Sequence, residues 1–161
     1  GKIFTKFLKP FTKNILIYEK EFKIKDNNKT YQSSLKELLR KSDVISFHIH
    51  ADKKNINFLN ANKLRLLKKN VVIINTSRGE IIDETQICKF LDKNKNAKYF
   101  TDVLMNEIKS KKKSPIFSKF KKKNKQILIT PHIGGMTEDA QELAYHGVLD
   151  DLIKFSNSKV K

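Results

Sequence analysis

Short apolar runs alternate with helix-patterned segments along this chain, and that alternation constrains the fold more than any other feature of it. The runs "NILIY", "DVISFHI", "VVIIN", "AKYFTDVL" and "QILIT" read as strands. Val71 to Ile74 carry no polar break, which is the pattern of a strand buried on both faces. Between the runs lie helix signals. "KIFTKFLKPF" puts Ile3, Phe4, Phe7 and Leu8 on one face before Pro10 closes it, and "SSLKELLRK" opens with a capping box from Ser34 to Glu37. Asn60 can cap "NANKLRLLKK", Asp83 can cap "ETQICKFLDK", and a last helix is expected from about Thr137 to Phe155. Strands separated by helices require crossover connections. The predicted fold class is therefore α/β, with a doubly wound parallel sheet.

Composition removes several function classes. The net charge of +17 invites a nucleic-acid reading, but among 34 basic residues only Arg40, Arg65 and Arg78 are arginine, and the lysines are scattered over the whole length. Nucleic-acid readers concentrate arginine and interleave aromatics for stacking. The densest runs, "KSKKKS" and "KFKKKNK", are expected to form a solvated polar connection, so no nucleic-acid partner is expected. The apolar runs are far shorter than the ~20 residues of a membrane span, and "GKIFTKFLKPF" lacks the apolar core of a signal peptide. Cys88 is the one cysteine, so no internal disulfide can form, and it reads as core filler. The expectation is a cytoplasmic protein without a membrane partner and without a metal site.

In open α/β sheets, ligands bind outside the carboxyl ends of the strands. The chemically distinctive residues of this chain fall at those ends: Glu19 after "NILIY", His48 and His50 after "DVISF", Arg78 after "VVIIN", Asp102 and Glu107 after "KYFT", and His132 after "QILIT". They are expected to line one crevice. A dinucleotide site begins with a strand and G-x-G-x-x-G and has an acid at the end of the next strand that holds the ribose hydroxyls. Gly1 precedes a helix and Glu19 ends the following strand, which makes Gly1 the third glycine of such a motif.

Three ordered segments carry a family resemblance. "SDVISFHIHADKKNINFLNANKLRLLKKNVVIINTSRGEIIDE", "TDVLMNE" and "LITPHIGGMTEDAQE" resemble the signatures of the D-isomer-specific 2-hydroxyacid dehydrogenases, over nearly the whole chain. The resemblance implies a Rossmann-type domain that lacks its first, central strand and the first part of its phosphate loop. In the strand order 3-2-1-4-5-6, that absent strand would have "NILIY" and "VVIIN" as neighbours. Residues 1–135 would form the NAD-binding domain, residues 136–161 a helix leading back to an absent substrate lobe, and the piece alone is expected to fold poorly.

By the same resemblance, Arg78 binds the substrate carboxylate, His132 is the acid/base and Glu107 is its partner. The chemistry suits these residue types, because a guanidinium grips a carboxylate bidentately where an ammonium cannot, and an imidazole titrates near neutrality. Gly1, Glu19, His48, Thr76, Ser77, Asp102, Gly134 and Gly135 are implied cofactor contacts, with NAD as cofactor. The Glu19 carboxylate would repel a 2′-phosphate, although Lys20 beside it tempers the preference. His48 is expected to support the crevice through backbone and packing, His50 stands where the family commonly has proline, and His146 reads as structural. Ile108 stands where the family usually has proline after the glutamate. The tail "DLIKFSNSK" resembles the phosphoglycerate dehydrogenase branch. The implied partner is a small 2-hydroxy or 2-oxo acid, and the full-length protein would be a homodimer. The competing readings are a non-enzymatic dinucleotide sensor of the same fold, as in the family's transcriptional co-repressors, and an inactive gene fragment.

Overall fold

The computed structural model describes residues 1–20, 31–122 and 124–159. They form two compact units, Gly1–Ile129 and Thr130–Lys161. In the first unit, helix α1 (Lys2–Leu8) leads to strand β1 (Leu16–Ile17), and a short strand β2 (Tyr31–Gln32) pairs with β1 in parallel. Helix α2 (Leu35–Lys41) then precedes β3 (Val44–Phe47), followed by α3 (Ala61–Leu64), β4 (Val72–Asn75), α4 (Glu84–Lys93) and β5 (Lys98–Thr101). Two further helices, α5 (Glu107–Ser110) and α6 (Pro115–Lys121), precede β6 (Ile127–Ile129).

Strands β3-β4-β5-β6 make a four-stranded sheet, parallel throughout, as the alternation of strands and helices requires. Ile45, Phe47, Ile73, Tyr99 and Ile127 on its strands are buried with Leu59, Leu64, Ile87, Leu91 and Ile116 in one core. The three caps are made: Ser34 Oγ accepts the N–H of Glu37, Asn60 Oδ1 that of Lys63, and Asp83 Oδ1 that of Gln86, while Glu37 Oε1 pairs with Lys41.

Several expectations are corrected. Val71 and Ile73 are fully buried while Val72 and Ile74 are only half-buried, so the run is closed on one face and partly covered on the other. The strand "VVIIN" is hydrogen-bonded on both sides, to β3 and β5, and the edges of the four-stranded sheet are β3 and β6. The expected order omitted β2, which lies in parallel beside β1, and counting it moves β3 into the position assigned to β4.

The lysine-rich connection is not a solvated loop. Ser114 caps α6 by accepting the N–H of Phe117, Pro115 occupies its first position, and Ile116 is buried in the core. Lys119 pairs with Asp92, and the ammonium groups of Lys111 and Lys121 both lie over the Phe117 ring at 5.4 Å. The face of α1 is not buried, since Ile3 and Phe7 are each 70% exposed.

In the second unit, Thr137 Oγ1 accepts the N–H of Ala140 at the start of α7 (Glu138–Lys159). His146 is exposed on that helix.

Candidate active site

The turn that carries Arg78 is built by Asn75, a fully buried amide at the end of β4. Its Oδ1 accepts the N–H of Ser77 at 3.1 Å and its Nδ2 donates to the Arg78 carbonyl at 2.9 Å, so one side chain closes the bend on both sides. Ser77 Oγ donates to the Phe47 carbonyl at 2.7 Å and ties this turn to the end of β3. Thr101 Oγ1 lies 3.1 Å from the Asn75 carbonyl, and the Asp102 N–H donates to that same carbonyl at 3.0 Å, which joins β5 to the arrangement.

The result is a cleft of about 500 Å³ at the carboxyl ends of β3 and β4, lined by His48–Asp52 and Thr76–Arg78. The Arg78 guanidinium is exposed there and donates from Nη1 to the Ser77 carbonyl at 2.7 Å. Among the described residues it pairs with no carboxylate. Its remaining donors are therefore open to an anion from outside the chain.

Five sequence-predicted residues, His48, His50, Thr76, Ser77 and Arg78, share this cleft, and Gly1 stands beside His48. The His48 ring stacks at a tilt on Phe4, 5.0 Å between centroids, and its Nε2 lies 2.9 Å from Ser46 Oγ. Partial burial of the ring lowers the pKa of this imidazole below its ordinary value. Glu19 follows β1, in the separate two-stranded pair, and its Oε1 accepts the N–H of Lys20. Asp102 is buried at the end of β5. Glu107 opens α5, with Oε2 3.5 Å from the Leu104 N–H, directly after Asn106 in the left-handed region at φ 54°.

His132, Gly134 and Gly135 belong to the second unit. His132 follows Pro131 with φ 57°, in the left-handed region that histidine enters more readily than most non-glycine residues. Cys88 packs against the core as read, and burial pushes its thiol up to about 11, which leaves it unreactive.

Residues 1–134 match the family model described as D-isomer specific 2-hydroxyacid dehydrogenase, NAD binding domain. The chain belongs to this family. It is 33% identical over 144 residues to D-3-phosphoglycerate dehydrogenase of Escherichia coli strain K12, covering 89% of this chain and 35% of that protein. To glyoxylate reductase of Thermococcus litoralis it is 32% identical over 123 residues, covering 76% and 35%. Among solved structures, a D-2-hydroxyisocaproate dehydrogenase superposes with TM-score 0.86 at 25% identity, covering 98% of this chain and 50% of the other. The chain thus spans about a third of the length of the curated relatives it matches. The fold of this dehydrogenase domain is of the Rossmann type.

A dehydrogenase NAD-binding domain implies a dinucleotide, and the residues present fit one. A Cβ built on Gly1 would lie 3.7 Å from His48 Cβ, and the Phe4 ring stacks on His48, so the start of α1 stands beside a residue that lines the cleft. The cleft's volume falls within the ~300–1,000 Å³ typical of ligand sites.

Two supporting residues escaped the sequence reading. A Cβ on Gly79 would lie 2.0 Å from the Leu104 carbonyl carbon and 2.2 Å from the Met105 nitrogen, so only glycine admits that backbone. Glu84, which looks like an ordinary acid in the first turn of a helix, is buried and accepts the N–H of Met105 at 2.9 Å. In both cases the partner lies far along the chain, and no local pattern marks it.

Proposed function

We propose that the protein carrying this chain transfers a hydride between NAD(H) and a 2-hydroxy or 2-oxo acid, with 3-phosphoglycerate as first candidate, since phosphoglycerate dehydrogenases are among its relatives. The observation that carries the reading is the Arg78 guanidinium, exposed in the cleft with its donors directed to no carboxylate of the described residues. A bound nicotinamide would supply the hydride donor or acceptor. Arg78 holds the substrate carboxylate bidentately and draws electron density from the adjoining carbonyl. His132 takes the proton from the C2 hydroxyl in the oxidative direction and returns it to the oxygen in the reductive one. Glu107 stabilises the imidazolium so formed and orients its ring. The backbone and hydroxyls of Thr76 and Ser77, the His48 wall and the Gly1 end of α1 hold the cofactor, Asp102, Gly134 and Gly135 complete its contacts, and Glu19 takes the adenosine ribose.

The same family likeness supports residues 1–135 as the dinucleotide domain and residues 136–161 as the helix leading to a substrate lobe. The full-length protein is proposed to be a cytoplasmic homodimer. No helix among the described residues is long and apolar enough to cross a membrane.

The test is the full-length protein assayed by absorbance of reduced nicotinamide with a panel of 2-oxo acids, 3-phosphohydroxypyruvate included. Turnover of at least one, lost on Arg78→Ala with dinucleotide binding retained, is expected. Dinucleotide binding without turnover of any 2-oxo acid would instead favour the non-enzymatic sensor.

A further inference from the structure

We propose that Glu84 is a positioning residue for Glu107: its buried carboxylate, by accepting the Met105 N–H, holds the segment between β5 and α5 that presents the Glu107 side chain. The inference rests on the role given to Glu107 above.

The case begins with a carboxylate in a costly place. Glu84 is only 2% exposed, and burying a carboxylate is costly unless hydrogen bonds offset the loss of water. It is not needed to start α4, because Asp83 already caps that helix through the Gln86 N–H. The bonds it makes lie elsewhere. Oε1 accepts the N–H of Met105 at 2.9 Å, two residues before Glu107. Oε2 is enclosed without a hydrogen bond of full geometry, while the Ser114 hydroxyl and the Ile116 amide stand close enough to stabilise the charge against its burial. The carboxylate therefore touches three places in the fold: the first turn of α4, the backbone before Glu107 and the start of α6.

Two neighbours act in the same direction. Gly79 lets the backbone of Leu104 and Met105 approach within a distance that any side chain would forbid. The Asn106 N–H faces Glu80 Oε1 at 3.4 Å, so successive amides of this segment point at acids on the Gly79–Glu84 stretch that follows Arg78. The segment itself has little intrinsic rigidity: α5 has four residues and follows a left-handed Asn106. An anchor from outside is what fixes where Glu107 stands, and it fixes it relative to the stretch that carries Arg78.

The experiment uses the full-length protein with Glu84→Ala and Glu84→Gln, each made in the wild-type and the Glu107→Gln backgrounds. Glu84→Ala is expected to lower kcat by about tenfold or more with the KM for NAD changed less than about twofold, because the loss falls on the reacting geometry rather than on cofactor binding. Glu84→Gln keeps an oxygen for the Met105 N–H and restores kcat to within about threefold. In the Glu107→Gln background the same Glu84→Ala change should cost less than about threefold, the non-additivity expected of residues acting through one another. Equal losses in both backgrounds, or wild-type turnover in Glu84→Ala, would overturn the proposal.

Wild-type turnover in Glu107→Gln would instead remove the role assigned to Glu107 itself. Amide exchange then decides the anchoring separately. Faster exchange confined to Met105 and Asn106 in Glu84→Ala supports it, and unchanged exchange there overturns it.

Discussion

Gly79 packs against Leu104 so closely that a methyl group on its Cα would lie 2.0 Å from the Leu104 carbonyl carbon. The residue after the candidate substrate arginine is thus a contact between the end of β4 and the backbone leading to Glu107. Its glycine is required by that approach and not by a left-handed backbone, since no described glycine has positive φ.

Gly79→Ala should therefore destabilise the protein by about 2 kcal/mol or more, because the added methyl meets backbone atoms that cannot rotate away. The measurement is the urea midpoint of the full-length variant against wild type. An unchanged midpoint would show that the two segments have room to separate.

His132 and Arg78 should fail differently. His132→Ala is expected to lower kcat by ~10²-fold or more with dinucleotide affinity unchanged, as for the loss of a general acid/base. Arg78→Lys should raise the KM for the 2-oxo acid as well as slow turnover, because an ammonium cannot replace the planar fork. Steady-state kinetics on both variants separates the roles, and near wild-type kcat in His132→Ala would remove it as proton carrier.

Glu84 makes stability depend on pH in a definite direction. Burial, first among the causes, raises its carboxyl above the ordinary value of 4.5, so the folded state binds this proton more tightly than the unfolded state does. The associated stability is present below the unfolded value and is lost as pH rises from there through the folded one. Glu84→Gln removes this titration. The stability of the variant minus that of wild type should increase as pH rises above the ordinary value of 4.5 in paired urea titrations. A difference that stays flat with pH would mean that the carboxyl is not perturbed in the fold.

Glu19 should set the choice of dinucleotide. With its carboxylate at the adenosine ribose, NAD is expected to be used at least about tenfold better than NADP, a difference of ~1.4 kcal/mol. Glu19→Ala should narrow that ratio without abolishing binding. Equal kcat/KM for the two cofactors in the wild-type protein would take Glu19 away from the ribose.

The features legible in the sequence are those whose physics acts within a few residues. Ser34, Asn60 and Asp83 cap helices because each reaches an N–H three positions ahead, and the short apolar runs between helices declare a parallel sheet through the crossovers they require. That the distinctive side chains follow strands was legible for the same reason, and the sheet places His48, Thr76, Ser77 and Arg78 around one cleft. Tertiary structure alone decided the rest. Tyr31–Gln32 becomes a strand by pairing with Leu16–Ile17, and that pair shifts which strand forms the sheet edge. The lysine-rich connection becomes a helix because Ile116 finds the core, a gain that outweighs the polar look of its neighbours. Ser77 reaches Phe47, Gly79 meets Leu104, and Glu84 reaches Met105. Each of these contacts joins residues more than twenty positions apart. Such contacts leave no periodicity and no capping pattern behind, since a residue's burial depends on what the folded chain brings to it and not on the residues beside it in sequence.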